Sequence, residues 1–268
     1  MSPFGWKDLS QLPFCALTLL EEIQLSWLPR HGRRRELALT LRANPDVAWF
    51  MKHKCPSIES WLNELLAEYA HEPLPSGEEL RQLEQAVLGS MEDWIIYVTE
   101  PEAYDRQSFN RWDDQELLGL TDFRGTVVID VGAGTGSQTF RMAPLARTIY
   151  AVEPIGNLRQ FIRRRARQRG HSNIFVVDGE LCAIPFPDAF ADVLVAGHVF
   201  GDHLEAELTE MRRVVKPGGM IILCPGNADK DDAVHHWLVE HGFCWSRFEE
   251  PGPSIGAGWK RKYWLVKK

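Results

Sequence analysis

The stretch Val127-Val128-Ile129-Asp130-Val131-Gly132-Ala133-Gly134-Thr135-Gly136 decides the fold class of this chain. An apolar run that carries one acid is followed by three glycines at alternate positions, and then by a helical pattern near 137–145. Glycine allows positive backbone φ angles and lets a ligand approach the chain closely. In open α/β sheets, nucleotide-like ligands bind beyond the carboxyl end of the first strand. The stretch therefore predicts a strand, a ligand-binding turn and a helix.

Short apolar runs alternate with helical patterns on the carboxyl side of this stretch. Helices are predicted near 137–145, 155–168, 203–215 and 228–241. This alternation predicts an α/β fold with a mostly parallel sheet and helices on both faces. Because no helix separates the last two runs, we expect them to pair antiparallel at one edge. The predicted strands are Thr126–Val131, Thr148–Val152, Ile174–Val177, Val193–Ala196, Met220–Cys224, Phe243–Phe248 and Tyr263–Val266.

The first 118 residues differ from the rest, and their pattern predicts helices joined by short turns. Asn44-Pro45-Asp46 offers a capping side chain, a proline at the first helical position and an acid suited to a helix start. Ser76 and Glu79 have the spacing of a capping box. We therefore predict two domains, an all-helical one over 1–118 and an α/β one over 119–268.

The composition is that of an ordinary globular protein. The chain has 268 residues, of which 44% are hydrophobic and 25% charged, which excludes a disordered or fibrous protein. The most apolar stretch near the start, Phe14 to Leu28, is interrupted by two glutamates, so no membrane span is expected. No signal-peptide pattern is visible, and the five cysteines are too scattered for a disulfide framework or a zinc site. We expect a cytoplasmic protein without a metal.

Charge is distributed unevenly along the chain. The formal net charge is −7; residues 1–118 carry 11 basic against 20 acidic side chains, and residues 119–268 carry 19 against 17. The acidic part would repel a phosphate backbone, which makes nucleic acid an unlikely partner on sequence grounds. One basic cluster is more typical of a solvated helix face than of a polyanion site. It consists of Arg163, Arg164, Arg165, Arg167 and Arg169.

Further motifs follow the glycine stretch in a fixed order. Glu153 ends the second predicted strand, 21 residues after Gly132, and Asp178-Gly179-Glu180 ends the third. A proline-rich segment, 184–192, and the turn Arg212-Arg213-Val214-Val215-Lys216-Pro217-Gly218-Gly219 come next. With the Asp-x-Gly-x-Gly-x-Gly pattern, these motifs resemble those of class I S-adenosylmethionine-dependent methyltransferases. The resemblance is to the ubiquinone/menaquinone-biosynthesis-like branch, methyltransferase type 11.

The resemblance implies a Rossmann-like sheet of seven strands and S-adenosylmethionine as the cofactor, with S-adenosylhomocysteine as its product. It implies that Glu153 accepts hydrogen bonds from both ribose hydroxyls and that the acid after the third strand meets the adenine amino group. Tyr104, in the Tyr-Asp pair that opens many such domains, would cover the carboxylate end of the cofactor. The implied cofactor-binding positions are Tyr104, Asp130, Gly132, Ala133, Gly134, Thr135, Gly136, Glu153, Pro154, Asp178, Gly179, Glu180 and His198.

Two histidines follow the fourth predicted strand and are the candidate catalytic side chains. His198 comes first off the strand, where it either touches the methionine part of the cofactor or acts as a base. His203 begins the next helix and either contributes to the chemistry or caps that helix. A base is needed only for an acceptor that holds a proton at neutral pH, such as a phenol. Tyr97, Arg111 and Trp112 either line an acceptor pocket or serve packing and surface ion pairs.

The sequence disfavours several other activities. A dinucleotide site would have its third glycine where Ser137 stands, and no Tyr-x-x-x-Lys pair is present in the core, so a nicotinamide-dependent reductase is not expected. The Asn-Pro-Pro-Tyr tetrapeptide of amino-methylating enzymes is also missing. We predict methyl transfer to a small-molecule acceptor at carbon, oxygen or nitrogen, with the helical domain closing the acceptor side. The alternatives left open are nucleic-acid methylation and a non-catalytic cofactor-binding regulator or partner subunit.

Overall fold

The computed structural model describes residues 5–250 and 258–268. The chain forms two compact units, Met1–Tyr104 and Asp105–Lys268. No helix in the described residues has both the length and the apolar character that crossing a membrane requires.

The described part of the first unit, residues 5–104, is built from helices joined by turns. Its core contains buried apolar side chains from successive helices and turns, among them Leu17, Leu41, Leu65, Val87 and Ile95. Short 3₁₀ turns cover Phe14–Leu19, Leu28–Arg30 and Pro56–Ile58. The helices are α1 Glu22–Ser26, α2 Arg34–Ala43, α3 Pro45–Lys54, α4 Glu59–Glu68, α5 Gly77–Ser90, α6 Glu92–Thr99 and α7 Pro101–Asp105, the last of which ends at the limit between the units.

Two predicted helix caps are wrong in detail, although both helices start where expected. Pro45 is the first residue of α3, but the Asn44 side chain forms no cap to it. Its amide Nδ2 instead donates to the Thr40 carbonyl oxygen at 2.9 Å, which also accepts from the Asn44 backbone N–H at the end of α2. Ser76 precedes α5 without a side-chain cap bond, so the expected capping box does not form.

The second unit contains one seven-stranded sheet, as the fold class predicts. Its strand order is β3-β2-β1-β4-β5-β7-β6. Strands β1 to β5 pair in parallel, and β7 runs antiparallel to both of its neighbours. The predicted antiparallel pair at the edge is therefore confirmed. The strands are β1 Val127–Val131, β2 Thr148–Val152, β3 Ile174–Val177, β4 Ala191–Ala196, β5 Val215–Leu223, β6 Cys244–Glu250 and β7 Gly258–Val266.

The helices of the second unit surround this sheet. The helix predicted over 228–241 begins only at Ala233, because the Asp232 carboxylate caps it by accepting from the His235 backbone N–H at 2.9 Å. The first helix after β1 ends at Met142 rather than at 145. A 3₁₀ turn covers Ser108–Asn110, and the helices are α8 Gln115–Leu118, α9 Ser137–Met142, α10 Gly156–Gln168, α11 Leu204–Val214 and α12 Ala233–Glu240.

Residues 105–118 belong to the compact unit that contains the sheet. Trp112 and Leu117 are buried in one core cluster with Phe123 and Val128. The predicted domain limit at 118/119 therefore lies beyond the limit between the two compact units. A helical pattern in the sequence does not reveal which core a short helix joins.

The parallel strands place their carboxyl ends along one edge of the sheet. Val131, Ala196, Val152 and Val177 are last in β1, β4, β2 and β3, and the registered pairs Val131–Ala196, Val131–Val152 and Val152–Val177 bring these ends side by side. The loops that follow them are the ones that the sequence motifs single out.

Candidate functional site

The glycine turn after β1 has the backbone conformation that its sequence predicts. Gly132, Gly134 and Gly136 have φ angles of +67°, +56° and +86°, in the left-handed region that favours glycine. A Cβ built on Gly132 would lie only 2.3 Å from the Cγ1 atom of Val199. The turn is anchored to β2, because the backbone N–H of Gly132 donates to the Val152 carbonyl oxygen at 2.8 Å.

Glu153 lies directly after β2 and is only 4% exposed. Its Oε2 accepts from the Gly134 backbone N–H at 2.8 Å, and its Oε1 accepts from the Ile155 N–H at 2.9 Å. Burial raises the pKa of Glu153 to about 7, against these two hydrogen bonds and the charge of Arg159, which lower it. Each carboxylate oxygen keeps a second lone pair, so the side chain can accept further hydrogen bonds from hydroxyl groups.

Asp130, the acid inside β1, supports the glycine turn from below. It is 1% exposed, and its Oδ2 accepts a short hydrogen bond from the Thr139 hydroxyl on α9. Burial raises the pKa of Asp130 to about 7, and the hydrogen bonds from Thr139 oppose this shift. Asp130 therefore links β1 to α9 across the glycine turn. Its predicted contact with the cofactor stays a prediction.

An unpartnered hydroxyl marks the same turn. The Oγ1 atom of Thr135 is buried and has no hydrogen-bond partner among the residues that the structure describes. Buried polar groups are nearly always paired in folded proteins, so this hydroxyl suggests a missing partner. Together with the free lone pairs of Glu153 and the tight glycine turn, it fits a ligand rich in hydroxyl groups, as the adenosyl part of S-adenosylmethionine is.

The other predicted cofactor-binding positions near this turn differ from one another in burial and in their contacts. Ala133 is buried, and its carbonyl oxygen accepts from the Gly136 N–H at 2.7 Å, which closes the turn before α9. Gly179 packs closely on Pro185 and on Val152. The Glu180 side chain is exposed, and its backbone forms an isolated bridge with Ala183.

Asp178 differs from the buried acid at the end of β2. Its side chain is 71% exposed, and its carboxylate forms an ion pair with Arg159 at 2.9 Å. The same Nη1 atom of Arg159 also donates to the backbone oxygens of Glu153 and Pro154, at 2.8 and 2.7 Å. Arg159 thus joins the ends of β2 and β3. Sequence reasoning missed it, since an arginine one turn into α10 carries no signal of its own.

Tyr104 is the last residue of the first unit. Its ring lies 5.6 Å from the Trp6 ring and 5.0 Å from the Tyr97 ring, measured between centroids. The proposed roles of Tyr104 at the cofactor and of Tyr97 at the acceptor stay predictions.

His198 follows β4 in a strained backbone conformation. Its φ is +59°, which is uncommon for a residue with a side chain. Its ring lies 6.0 Å from the Phe109 ring, edge to face, a neighbour that sequence reasoning did not identify. Burial, followed by the charge of Lys260, lowers the pKa of His198 to about 4. The residue has an exposed part, and the lowered pKa leaves its ring neutral at pH 7.

The loop that carries both histidines is held by a buried acid on α11. Glu207 is 2% exposed and accepts hydrogen bonds from three successive backbone N–H groups. These belong to Gly201, Asp202 and His203, at 2.8, 3.1 and 2.9 Å. His203 is exposed at the N-cap position of α11. Sequence reasoning did not identify Glu207 as the residue that holds this loop. Its position as the fourth residue of α11 was the only sign in the sequence that it could bond the N–H groups before the helix.

A small pocket opens beside His198, at the carboxyl ends of β4 and β5. Most of its walls are apolar, and the polar side chains are those of His198, Asn227 and Tyr263. The Tyr263 hydroxyl oxygen lies 3.2 Å from Nδ1 of His235, which is buried. The lining residues are Ala196, His198, Phe200, Leu223, Pro225, Gly226, Asn227, Leu238 and Tyr263.

Trp112 and Arg111 do not line this pocket. Trp112 is 3% exposed and packs on Phe248 with ring centroids 5.6 Å apart, beneath the Arg141 guanidinium, so its role is packing. Arg111 lines a separate cleft. In residues 5–250 and 258–268, no three His, Cys, Asp or Glu side chains converge as metal ligands would.

Comparisons with known proteins agree with this geometry. Residues 129–223 match the family described as a methyltransferase domain. A demethylmenaquinone methyltransferase of Geobacillus sp. (strain WCH70) is 29% identical over 150 residues, which is 50% of this chain and 63% of that protein. An uncharacterized methyltransferase of the same strain is 28% identical over 144 residues, 50% and 65% of the two chains. The chain thus spans a little under two thirds of these relatives.

A solved structure extends the agreement to the fold. The S-adenosylmethionine-dependent methyltransferase from Aquifex aeolicus superposes with a TM-score of 0.51 at 19% identity, over 63% of this chain and 97% of that one. At this identity the likeness concerns the fold alone. By its family match, its relatives and its fold, the unit that contains the sheet is similar to class I S-adenosylmethionine-dependent methyltransferases of the ubiquinone/menaquinone-biosynthesis-like type.

Proposed function

We propose that this protein transfers the methyl group of S-adenosylmethionine to a small-molecule acceptor. The observation that supports the cofactor part of the proposal is the glycine turn after β1, to which the buried acceptor Glu153 is hydrogen-bonded. The demethylmenaquinone methyltransferases among the relatives support a small-molecule acceptor. The pocket beside His198 has a volume of about 10 Å³, which is room for about one water molecule, so it does not by itself hold the acceptor.

The residues that would hold the cofactor are those of the glycine turn with the Thr135 hydroxyl, and Glu153 at the ribose. S-adenosylmethionine, when bound, supplies a methyl group already activated by the positive charge on sulfur. The protein is then required to orient the acceptor atom and to keep water away.

His198 is the candidate base of the proposed reaction. Its lowered pKa keeps the imidazole neutral at pH 7, so a ring nitrogen can accept a hydrogen bond from a phenol or an alcohol, but the same shift makes the ring a weaker base. The demethylmenaquinone relatives make a hydroxylated aromatic ring the first acceptor to test. The five cysteines are free thiols, which supports the reducing cytoplasm as the compartment.

Titration calorimetry tests the cofactor part of the proposal. We expect S-adenosylmethionine and S-adenosylhomocysteine to bind, NAD not to bind, and Glu153→Ala to abolish adenosyl binding. The exposed acid Glu249 on β6 gives the matched control variant, Glu249→Ala, which should bind like the original protein. Binding of NAD in place of the adenosyl ligands would contradict the proposal.

Transfer of a labelled methyl group tests the acceptor class. The protein is incubated with labelled S-adenosylmethionine and either a small-molecule extract, a hydroxylated naphthoquinone or total RNA. Label in the small molecules, lost in Glu153→Ala, is the expected result. Label in RNA alone would favour nucleic-acid methylation. Cofactor binding without label in any fraction would favour a non-catalytic cofactor-binding role.

A further inference from the structure

A second cleft of the sheet-containing unit is lined by arginines. It lies between the segment 105–114 and the helices α9 and α10, and its volume is about 370 Å³. That volume falls in the range of about 300–1,000 Å³ that is typical of small-molecule sites. We call it the arginine cleft. Its basic side chains are those of Arg106, Arg111, Arg141, Arg165 and Arg169.

The charges in the arginine cleft do not balance. Five guanidinium groups face only two carboxylates, those of Asp105 and Asp114, which leaves a formal charge of +3 on the lining residues. Asp105 pairs with Arg165, and Asp114 pairs with Arg141. In the described part of the chain, the guanidinium groups of Arg111 and Arg169 have neither an ion pair nor a hydrogen bond. Two donors, one on the segment 105–114 and one just after α10, are thus available to a ligand.

The walls of the cleft hold their arginines in fixed positions. The Arg141 guanidinium stacks 4.0 Å over the Trp112 ring and donates to the backbone oxygen of Asn110 at 2.8 Å. The guanidinium carbons of Arg165 and Arg169 both lie over the Phe140 ring, at 5.1 and 4.8 Å from its centroid. Arginines placed before a ligand arrives lose little side-chain entropy on binding it.

Like charges are held together in this cleft at a cost. Burial, and then the positive charge of Arg165, lower the pKa of Arg169. The protein therefore keeps two guanidinium groups closer together than their repulsion favours, and an anion between them would relieve that repulsion.

We propose that the arginine cleft binds a small polyanion, with a diphosphate group as the recognised chemistry. The guanidinium group matches phosphate oxygens in paired hydrogen bonds, and several of them converge here around a space of small-molecule size. The cleft adjoins the cofactor turn through Ser137, the residue after Gly136, but Glu153, Thr135 and the glycines are not among its lining residues.

The arrangement of arginines on α10 favours a small anion over a nucleic-acid backbone. Only Arg165 of the helix and Arg169 after its end line the cleft. Arg163 is directed elsewhere, because its Nη2 donates to the Val176 carbonyl oxygen at 2.7 Å. Arg167 is exposed outside the cleft. The basic residues of α10 therefore do not form one continuous stripe along which a polynucleotide would lie.

Titration calorimetry of the full chain with inorganic pyrophosphate tests the proposal. We expect binding that weakens as salt is added, and orthophosphate should bind more weakly. Arg169→Gln and Arg111→Gln should each weaken pyrophosphate binding about tenfold, the usual effect of losing one hydrogen bond to a charged group. Arg167→Gln, on the same helix but outside the cleft, is the matched control and should change it less than about threefold. All variants should keep the affinity for S-adenosylmethionine, which confirms their folding and separates this result from the proposed function.

Three outcomes would overturn the proposal. The first is the absence of pyrophosphate binding to the original protein. The second is an equal loss in Arg167→Gln and Arg169→Gln, which would indicate general charge attraction rather than a site. The third is tighter binding of a short single-stranded RNA than of pyrophosphate, weakened by Arg167→Gln as well, which would identify α10 as a nucleic-acid surface.

Discussion

The Glu153 carboxylate and the Gly134 backbone are joined by a hydrogen bond of 2.8 Å, from the backbone nitrogen to Oε2. This bond links the end of β2 to the turn that follows β1. The other carboxylate oxygen fixes the start of the next loop through Ile155. One buried side chain therefore positions both loops at which the ribose is expected, and the ionisation of that side chain governs the site.

The affinity for S-adenosylmethionine should rise with pH through neutrality. The pKa of Glu153 is about 7 in the ligand-free protein, and the ionised carboxylate is the better acceptor for ribose hydroxyls. About one tenth of the protein would be ionised at pH 6 and about nine tenths at pH 8, so we expect the affinity to rise about tenfold. Calorimetry at both pH values in buffers of equal ionic strength measures the change.

Glu153→Gln provides the control for this dependence. The glutamine cannot ionise, so its affinity should be low at both pH values and should change little between them. A tenfold rise that persists in Glu153→Gln would assign the titration to another group. Buried Asp130 is the first candidate, because its pKa is also about 7.

Local sequence patterns predicted most of the sheet and the glycine turn. Apolar runs located all seven strands, although β5 and β7 each begin five residues before the predicted start. The inner parallel strands β1 and β4 are the clearest, because strands buried on both faces are apolar along most of their length. Positive φ angles at Gly132 and Gly134 followed from the alternate glycines. These features depend on short segments of chain, which a sequence displays directly.

Contacts between distant segments escaped sequence reasoning. Arg159 meets Asp178 across 19 residues, and Phe109 meets His198 across nearly 90. Neither pair has a pattern that distinguishes it from other charged or aromatic residues. The same holds for the segment 105–118, whose helical pattern did not reveal that it packs into the core of the sheet unit. Such contacts depend on how distant segments pack in the folded chain, and local composition and spacing do not specify that packing.

Gly132→Ala should destabilise the protein and weaken cofactor binding. The added Cβ would lie 2.3 Å from Val199 Cγ1, and the backbone φ of +67° is itself unfavourable for alanine. The conformational part costs about 1–2 kcal/mol, and the overlap adds about 1–3 kcal/mol. Denaturant unfolding measures the free energy of unfolding of the variant and of the original protein.

Gly125→Ala separates the two contributions. Gly125 has a similar φ of +70°, but a Cβ there would meet nothing within 4 Å. This variant should show the conformational cost alone and should bind S-adenosylmethionine normally. Adding Val199→Ala to Gly132→Ala should recover part of the lost stability. Equal destabilisation by Gly125→Ala and Gly132→Ala would show that Val199 does not confine the turn.

Glu207→Gln should loosen the loop that carries His198 and His203. The carboxylate accepts from three backbone N–H groups, and a glutamine amide offers one oxygen and an NH₂ group that repels the remaining donors. We expect a loss of about 1–3 kcal/mol in the free energy of unfolding. Hydrogen exchange should become faster at Gly201, Asp202 and His203.

Glu205→Gln is the matched control, because Glu205 lies on the same helix with a side chain that is 77% exposed. It should leave both the stability and the exchange rates of the loop nearly unchanged. Unchanged exchange at residues 201–203 in Glu207→Gln would mean that the loop is held by other contacts.

The His198 ring should stay neutral well below the pH at which an exposed histidine takes up a proton. Its pKa is lowered first by burial and then by the charge of Lys260. Because the native pKa lies below the unfolded value of 6.5, the unfolded chain binds more protons between these values, and this group reduces stability as the pH falls from 6.5 toward 4. An NMR titration of the ring protons measures the pKa directly.

Lys260→Gln should raise the pKa of His198 but not restore it to the ordinary value, because the lysine is the smaller of the two causes. Lys230→Gln, at an exposed lysine, is the control and should not move it. If His198 is the base of the proposed reaction, His198→Gln should lower kcat for a phenolic acceptor, while the affinity for S-adenosylmethionine changes little. A pKa near 6.5 in the original protein would show instead that the ring is solvated, and the loop after β4 would then be open to water in solution.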